Sequence, residues 1–231
     1  MSSAAPMSTP PLHDHWFPIA TSDELPFRHV YHAELLGQEL AVWRADDGYV
    51  NVWENRCLHR GVRLSLGHNL GGQLKCQYHG WHYASRTSGC TYIPAHPENA
   101  PARLICNRTF PAVERHGFVW SALAGTEPPS SLTVAAVPEG LVLRSIPVNA
   151  SAQAVADALE AAADVALTRA ASFEFSGDGL SIFLQPVDAQ RAIIRGALAD
   201  KGGDRITALR CHNDWMSRLR TSVETRRGAA A

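Results

Sequence analysis

The chain has 231 residues, 45% of them apolar and 19% charged, with a formal net charge of −1. That suits one large domain or two small ones, with enough chain for a real hydrophobic core. A near-neutral balance excludes a general nucleic-acid or polyanion binder, which needs a basic excess.

In chain order, residues 1–14 are rich in Ser, Pro and Ala and read as a disordered tail. They offer no basic n-region and no apolar h-region, so no signal peptide is expected. No apolar stretch in the chain approaches the ~18 residues of a membrane span. Five cysteines, an odd count, exclude a secreted disulfide scaffold. The expectation is a cytoplasmic protein with no membrane and no nucleic-acid partner. Residues 15–124 have β texture: short runs at 28–35, 39–44 and 49–53, separated by Leu36-Gly37 and Asp46-Asp47-Gly48. The pair across Asp47-Gly48 reads as a hairpin, and a further strand ends at 117–120. Residues 125–140, with Gly125, Pro128, Pro129, Pro138 and Gly140, read as a linker. Residues 141–226 change texture. A strand is expected at 142–148. A helix is expected over 151–170, with Val155, Leu159, Ala162 and Ala166 at helical spacing. Strands follow at 172–176, 180–187 and 191–199. A closing helix carries Leu209, His212, Trp215, Met216, Leu219 and Val223 on one side.

The chemistry sits in one constellation. Cys57-Leu58-His59 is followed sixteen residues later by Cys76-Gln77-Tyr78-His79, the pattern C-x-H-x16-C-x2-H. Two thiolates and two imidazoles on two short loops can hold a metal centre. In a Rieske centre two cysteines bind one iron of a [2Fe–2S] cluster and two histidines the other. Neutral imidazoles in place of thiolates remove negative charge and raise the reduction potential. Gly61 and Gly80 follow the loops, where a chain wrapping a cluster calls for residues without Cβ. Structural zinc also takes Cys2His2 ligation, but zinc motifs usually put both cysteines in one pair and both histidines in the other. Four unrelated buried residues are the bland alternative. His68, His82, His96 and His116 read as structural or surface histidines. Arg60 and Arg63, flanking the first loop, either favour an acidic electron donor or bond backbone carbonyls. Cys90, Cys106 and Cys211 read as inert buried thiols.

The stretches 55–61 (NRCLHRG), 64–67 (LSLG) and 74–83 (LKCQYHGWHY), with Ile93-Pro94-Ala95 and 117–120, resemble the Rieske domain of bacterial ring-hydroxylating and demethylating oxygenases. The likeness runs from about residue 16 to 123. Leu58 departs from it, since that family often has proline there. Respiratory Rieske proteins carry an extra cysteine in each loop; the matching positions are Val62 and Tyr78, which excludes them. The resemblance implies an α+β, mostly β protein: an antiparallel β Rieske [2Fe–2S] domain followed by a shortened helix-grip-like α/β domain. It implies Cys57, His59, Cys76 and His79 as the cluster-binding and metal-ligating residues. It also implies a flavin or ferredoxin-type reductase as electron donor, and a trimer-based homo- or hetero-oligomer.

In such oxygenases the helix-grip domain also holds a mononuclear iron in a two-His, one-carboxylate site, from a D-x2-H-x4-H stretch. Here no histidine lies between Gly117 and Cys211. Overlaying the expected helix puts Ala161, Asp164 and Arg169 at the Asp, His and His positions, so mononuclear Fe(II) is not expected on this chain and no catalytic residue is assigned. Asp157, Glu160 and Asp164 form an acidic stripe at helical spacing, read as a solvated face. Three readings stay open. One is an electron-transfer component serving a catalytic oxygenase partner. The second is a terminal oxygenase, a ring hydroxylase or O/N-demethylase. The third is a non-catalytic redox-responsive or scaffold subunit.

Overall fold

The computed structural model describes residues 11–98, 104–124, 140–162 and 165–230. The first ten residues of the expected tail, nearly all of the linker (125–139) and Asp164 lie outside the described residues.

β1 (Phe17–Thr21) is buried along its whole length. β2 (Val30–Leu35), β3 (Gln38–Arg44) and β4 (Val50–Glu54) form an antiparallel meander. Its first turn places Leu36 and Gly37 at φ +50° and +82°, the two left-handed positions that match strand twist in a tight hairpin. In its second turn the Tyr49 amide donates to Asp47 Oδ1 at 3.0 Å and Gly48 adopts φ +84°. β5 (His68–Asn69), β6 (Gln73–Lys75), β7 (His82–Ala84) and β8 (Cys90–Tyr92) form a separate small sheet. β9 (Thr109–Phe110) then returns to pair with β4. β10 (Ala112–Arg115) and β11 (Phe118–Ser121) close a three-stranded sheet in the order β1-β11-β10. Between the β2–β4 meander and the β5–β8 sheet, Trp43, Trp53 and Tyr83 stack edge to face, with centroids 5.1 and 6.5 Å apart.

In the C-terminal half β12 (Leu141–Val142) and β13 (Ile146–Val148) both pair with a later strand. The run expected as one strand is therefore two, parted at Leu143–Ser145. The first helix, α1 (Ala152–Glu160), is capped by Ser151, whose hydroxyl accepts from the Ala154 amide at 3.2 Å. It is much shorter than the helix expected over 151–170. β14 (Thr168–Ala171) takes up the end of that stretch and pairs with β15 (Glu174–Gly177). Alanine's helix propensity is overridden here by sheet pairing and by the Arg169–Glu160 ion pair at 2.9 Å. β16 (Leu180–Pro186) and β17 (Ala192–Leu198) complete the sheet, ordered β12-β17-β16-β15-β14. The closing helix α2 (Arg205–Ala230) buries Trp215, Met216, Leu219 and Val223 against α1 and the sheet, the face the sequence predicts. The architecture is α+β and mostly β, as the sequence implies.

The two halves are joined by a polar seam. Arg195, fully buried at the centre of β17, donates to Gln185 Oε1 (2.9 Å), Ser145 Oγ (2.7 Å), Glu24 Oε2 (3.1 Å) and the Ile19 carbonyl (2.7 Å). Gln185 in turn donates to the Glu34 carbonyl at 2.7 Å, and the amides of Leu36 and Gly37 donate to the carbonyls of Pro186 and Val187. Phe183 and Ala197 share an apolar cluster with Trp16, Phe118 and Trp120.

Candidate metal centre

The two motif loops have the same backbone design. In the first, the Cys57 amide donates to the Val62 carbonyl and the Gly61 amide to the Cys57 carbonyl, both at 2.8 Å. In the second, the Cys76 amide donates to the Trp81 carbonyl at 2.8 Å and the Gly80 amide to the Cys76 carbonyl at 3.2 Å. Each loop closes on a glycine in the left-handed region, Gly61 at φ +69° and Gly80 at φ +68°. A Cβ on Gly61 would meet nothing within 4 Å, so the need there is for the dihedral angle rather than for close approach.

Asparagines brace the loops. Asn55 donates to Ser65 Oγ (2.9 Å) and accepts from the Ser65 amide (2.7 Å), closing the chain around Cys57 and His59. Asn107 donates to the carbonyls of Glu54 (3.0 Å) and Arg56 (3.2 Å) from the opposite side. Both asparagines are buried and satisfied, which fixes their geometry. Glu39 ties down the flanks of the first loop by pairing with Arg56 and Arg63, and the first effect of that bonding is to hold its carboxyl below the usual carboxylate range.

The four motif side chains are brought together as two unlike pairs. The thiols of Cys57 and Cys76 are both buried; burial first, then the neighbouring Cys57, pushes the Cys76 thiol up. The imidazoles of His59 and His79 are exposed, with ring centroids 4.6 Å apart. Partial desolvation, then His79 and Arg60, hold His59 below the ordinary histidine value. Each imidazole has an aromatic neighbour: Trp81 lies parallel to His59 at 4.8 Å, and Tyr78 sits over His79 at 3.7 Å. Tyr83 OH lies 3.2 Å from Cys57 Sγ and accepts from the Leu58 amide at 3.3 Å. With its oxygen so engaged, the hydroxyl proton is free to point at the sulfur.

This donor set fits a dinuclear group better than one ion. Tetrahedral zinc needs four donors around a point. Among the described residues no three His, Cys, Asp or Glu side chains are placed to hold a single metal ion. A buried thiol pair beside an exposed imidazole pair is the arrangement that two metals with different ligands require.

The comparisons with known proteins agree. Residues 15–111 match the Rieske [2Fe-2S] domain. The chain carries a Rieske [2Fe–2S] domain. It is 59% identical over 114 residues to oxidoreductase NdmD of Pseudomonas putida, covering 49% of this chain and 19% of that protein. It is 32% identical over 105 residues to the iron-sulfur subunit TsaM1 of the toluene-4-sulfonate monooxygenase system of Comamonas testosteroni, covering 46% and 29%. The chain thus spans about a fifth to a third of the length of these relatives. In fold it is similar to dicamba monooxygenase, with a TM-score of 0.77 at 19% identity, over 95% of this chain and 88% of that one. The resemblance to Rieske oxygenases is borne out: in sequence over the N-terminal half, in fold over nearly all of the chain.

Other readings are corrected. Cys90 is buried, but Cys106 and Cys211 are exposed, because Cys106 lies on the outer face of an isolated bridge and Cys211 on the solvent side of α2. Arg60 and Arg63 do not share a role. Arg63 is held by Glu39, and Arg60 has no ion-pair partner among the described residues. The overlay of lost iron ligands on one helix fails as a helix: Ala161 is the C-cap of α1, and Arg169 lies on β14, bonded to Glu160 with its guanidinium over Phe175. Asp157 and Glu160 are exposed, as a solvated face demands. His68 and His96 are exposed, and His82 bonds Gln73 at 3.1 Å. Sequence reasoning gave no role to Tyr83, Asn55, Asn107, Glu39 or Arg195. One signal was available: Arg195 is a lone charge in the apolar run AIIRGAL.

Proposed function

We propose that this chain is the Rieske electron-transfer component of an oxygenase system. It takes electrons from a flavin or ferredoxin-type reductase and passes them to a mononuclear-iron site on a separate catalytic unit. The reading assigns Cys57 and Cys76 to one iron and His59 and His79 to the other, within a cluster domain at 15–124. A linker at 125–140 leads to a contracted helix-grip-like domain at 141–226. The observation that carries it is the pairing of two intact ligand loops with a C-terminal half whose residues 118–210 contain no histidine.

When bound, a [2Fe–2S] group supplies one-electron storage, with no open position for dioxygen. The chain's residues do the rest. Cys57 and Cys76 supply thiolates from the buried side, and Tyr83 O–H with the amides of Tyr78 and His79 offers hydrogen bonds to those sulfurs. Such bonds favour added negative charge. His59 and His79 put imidazole edges in solvent, where an electron enters and leaves. Asn55, Asn107 and Glu39 keep the loops fixed, so little rearrangement accompanies transfer.

Metal analysis with turnover is the test. About two irons and two acid-labile sulfides per chain are expected, with a reduced-state EPR signal of low average g. Reductase should reduce the chain, and no substrate should be hydroxylated until a catalytic partner is added. One zinc without sulfide would overturn the cluster assignment. The fold likeness to dicamba monooxygenase favours a second reading, a terminal oxygenase. A third iron bound by histidine, with turnover of an aromatic or N-methyl substrate by chain and reductase alone, would decide for it.

A further inference from the structure

Between Glu54 and Glu98 the chain has no acidic residue, although the whole chain carries 22. The same stretch holds Arg56, Arg60, Arg63, Lys75 and Arg86. It comprises both ligand loops and the entire β5–β8 sheet, so the lobe around the metal centre is cationic in a chain whose net charge is −1. Two carboxylates from outside the lobe pair with three of the five and cancel two of the charges. Glu39 holds Arg56 and Arg63, and Asp47 holds Arg86 at 2.7 Å. The side chains of Arg60 and Lys75 have no ion-pair or hydrogen-bond partner among the described residues. Arg60 follows His59 and Lys75 precedes Cys76, so the unpaired charges flank the two ligand pairs.

The same place exposes apolar surface. Leu58 is 48% exposed and Tyr78 60%, and the Tyr78 ring lies over His79. Large apolar side chains held in water beside unpaired cations have the composition of an interface: an apolar centre with a charged rim. Unpaired cations steer an oppositely charged partner and set its register. Paired ones contribute little to either.

We propose that this acid-free lobe is the docking face for an acidic redox protein, with Leu58 and Tyr78 as its contact centre and Arg60 and Lys75 as its steering charges. The proposal rests on the electron-transfer reading above and adds the chemistry of the partner. In the productive complex the partner is oxidised by one electron and this chain is reduced by one at the exposed imidazole edge. No proton or atom moves between the two proteins.

The probe is an acidic [2Fe–2S] ferredoxin, used with the full, cluster-loaded chain. Oxidised ferredoxin binding is measured by calorimetry, and reduction by reduced ferredoxin is followed by stopped flow. On raising salt from about 0.01 to 0.5 M, the bimolecular rate should fall at least about tenfold. R60E and K75E should each weaken binding and slow reduction about tenfold at low salt, and the difference should shrink at high salt. L58S should weaken binding several-fold at every salt concentration. R218E, on α2, should change nothing. Reduction by a photoreduced neutral deazaflavin should be equal in all variants, which checks that the centre is intact. Rates and affinities indifferent to salt, R60E and K75E would overturn the docking face even if electrons pass. Ferredoxin binding abolished by R60E and K75E, with no electron transfer, would leave the face standing and sink the electron-transfer reading instead.

Discussion

The space between the β2–β4 meander and the β5–β8 sheet combines an aromatic core with bonded polar side chains, whereas the space between α1, α2 and the C-terminal sheet is filled by apolar ones. In the first, Asn55, Asn107 and Tyr83 bond backbone and sulfur at fixed distances, and the metal-binding loops have little regular structure. In the second, Val155, Leu159, Ile182, Leu184, Met216 and Leu219 pack as one apolar cluster. Both halves have apolar cores, but only the first lays bonded polar side chains against its loops. The seam through Arg195 decides whether they respond separately or together.

The most drastic way to break the comparison is to remove a ligand. Cys76→Ala should take iron and sulfide from about two each per chain to near zero. Amides of the ligand loops should then lose protection from hydrogen exchange, while those of α1 and α2 keep theirs. Equal loss in both halves would make them a single cooperative unit. Next comes the seam. Arg195→Ala strands Gln185, Ser145 and the Ile19 carbonyl. Unpairing a buried charge of this kind costs about 3–5 kcal/mol. Glu24 is 30% exposed and can turn to water, which places the expected loss near 3. Urea denaturation measures it.

A cut confined to the C-terminal core should be milder and should leave the centre alone. Leu159→Ala should cost about 2–4 kcal/mol in the same assay, with the visible spectrum of the loaded protein unchanged. A spectral change would mean that the halves communicate through the seam. Tyr83→Phe does the opposite, touching the centre and little else. Losing an O–H donor to Cys57 disfavours the more negative reduced state. The reduction potential should therefore fall by on the order of 50 mV, since tenfold is 59 mV for one electron.

The smallest effect is a matter of pH. Desolvation holds Glu174, half-buried on β15, above its ordinary value of 4.5. A raised carboxyl favours the folded state most when protonated. Its contribution is complete below 4.5 and is lost as pH rises through the folded-state value. Glu174→Gln should therefore be more stable than the parent at neutral pH, with an advantage that disappears below about 4.5 in thermal melts.

Legibility in the sequence follows the same divide. The proposed ligand positions stand out in the sequence because metal chemistry imposes residue type and spacing together, as in Cys57, His59, Cys76 and His79. The turn at Leu36-Gly37 and the hairpin at Asp47-Gly48 could be read for a similar reason, since the left-handed dihedrals of Gly37 and Gly48 favour glycine. The end of α1 could not. Residues 158–162 are good helix formers, yet α1 ends at Glu160, where the Arg169–Glu160 ion pair and the pairing of β14 with β15 take over. The split between β12 and β13 is likewise settled by what β17 offers. Tyr83, Asn55 and Asn107 escaped because their roles depend on three-dimensional neighbours; nothing in Asn107's local sequence says that it reaches the carbonyls of Glu54 and Arg56.

The unlike burial of the two ligand pairs has a consequence for traffic. With the thiols of Cys57 and Cys76 buried and the imidazoles exposed, the described residues open the proposed centre on its imidazole side. Under the proposed function, a supplier of electrons and a consumer of them compete for that same patch, each leaving before the other arrives. Steady-state rates measured against both proteins should give parallel double-reciprocal lines, and an excess of the oxidised supplier should slow delivery by blocking the door. Intersecting lines would require a second entrance.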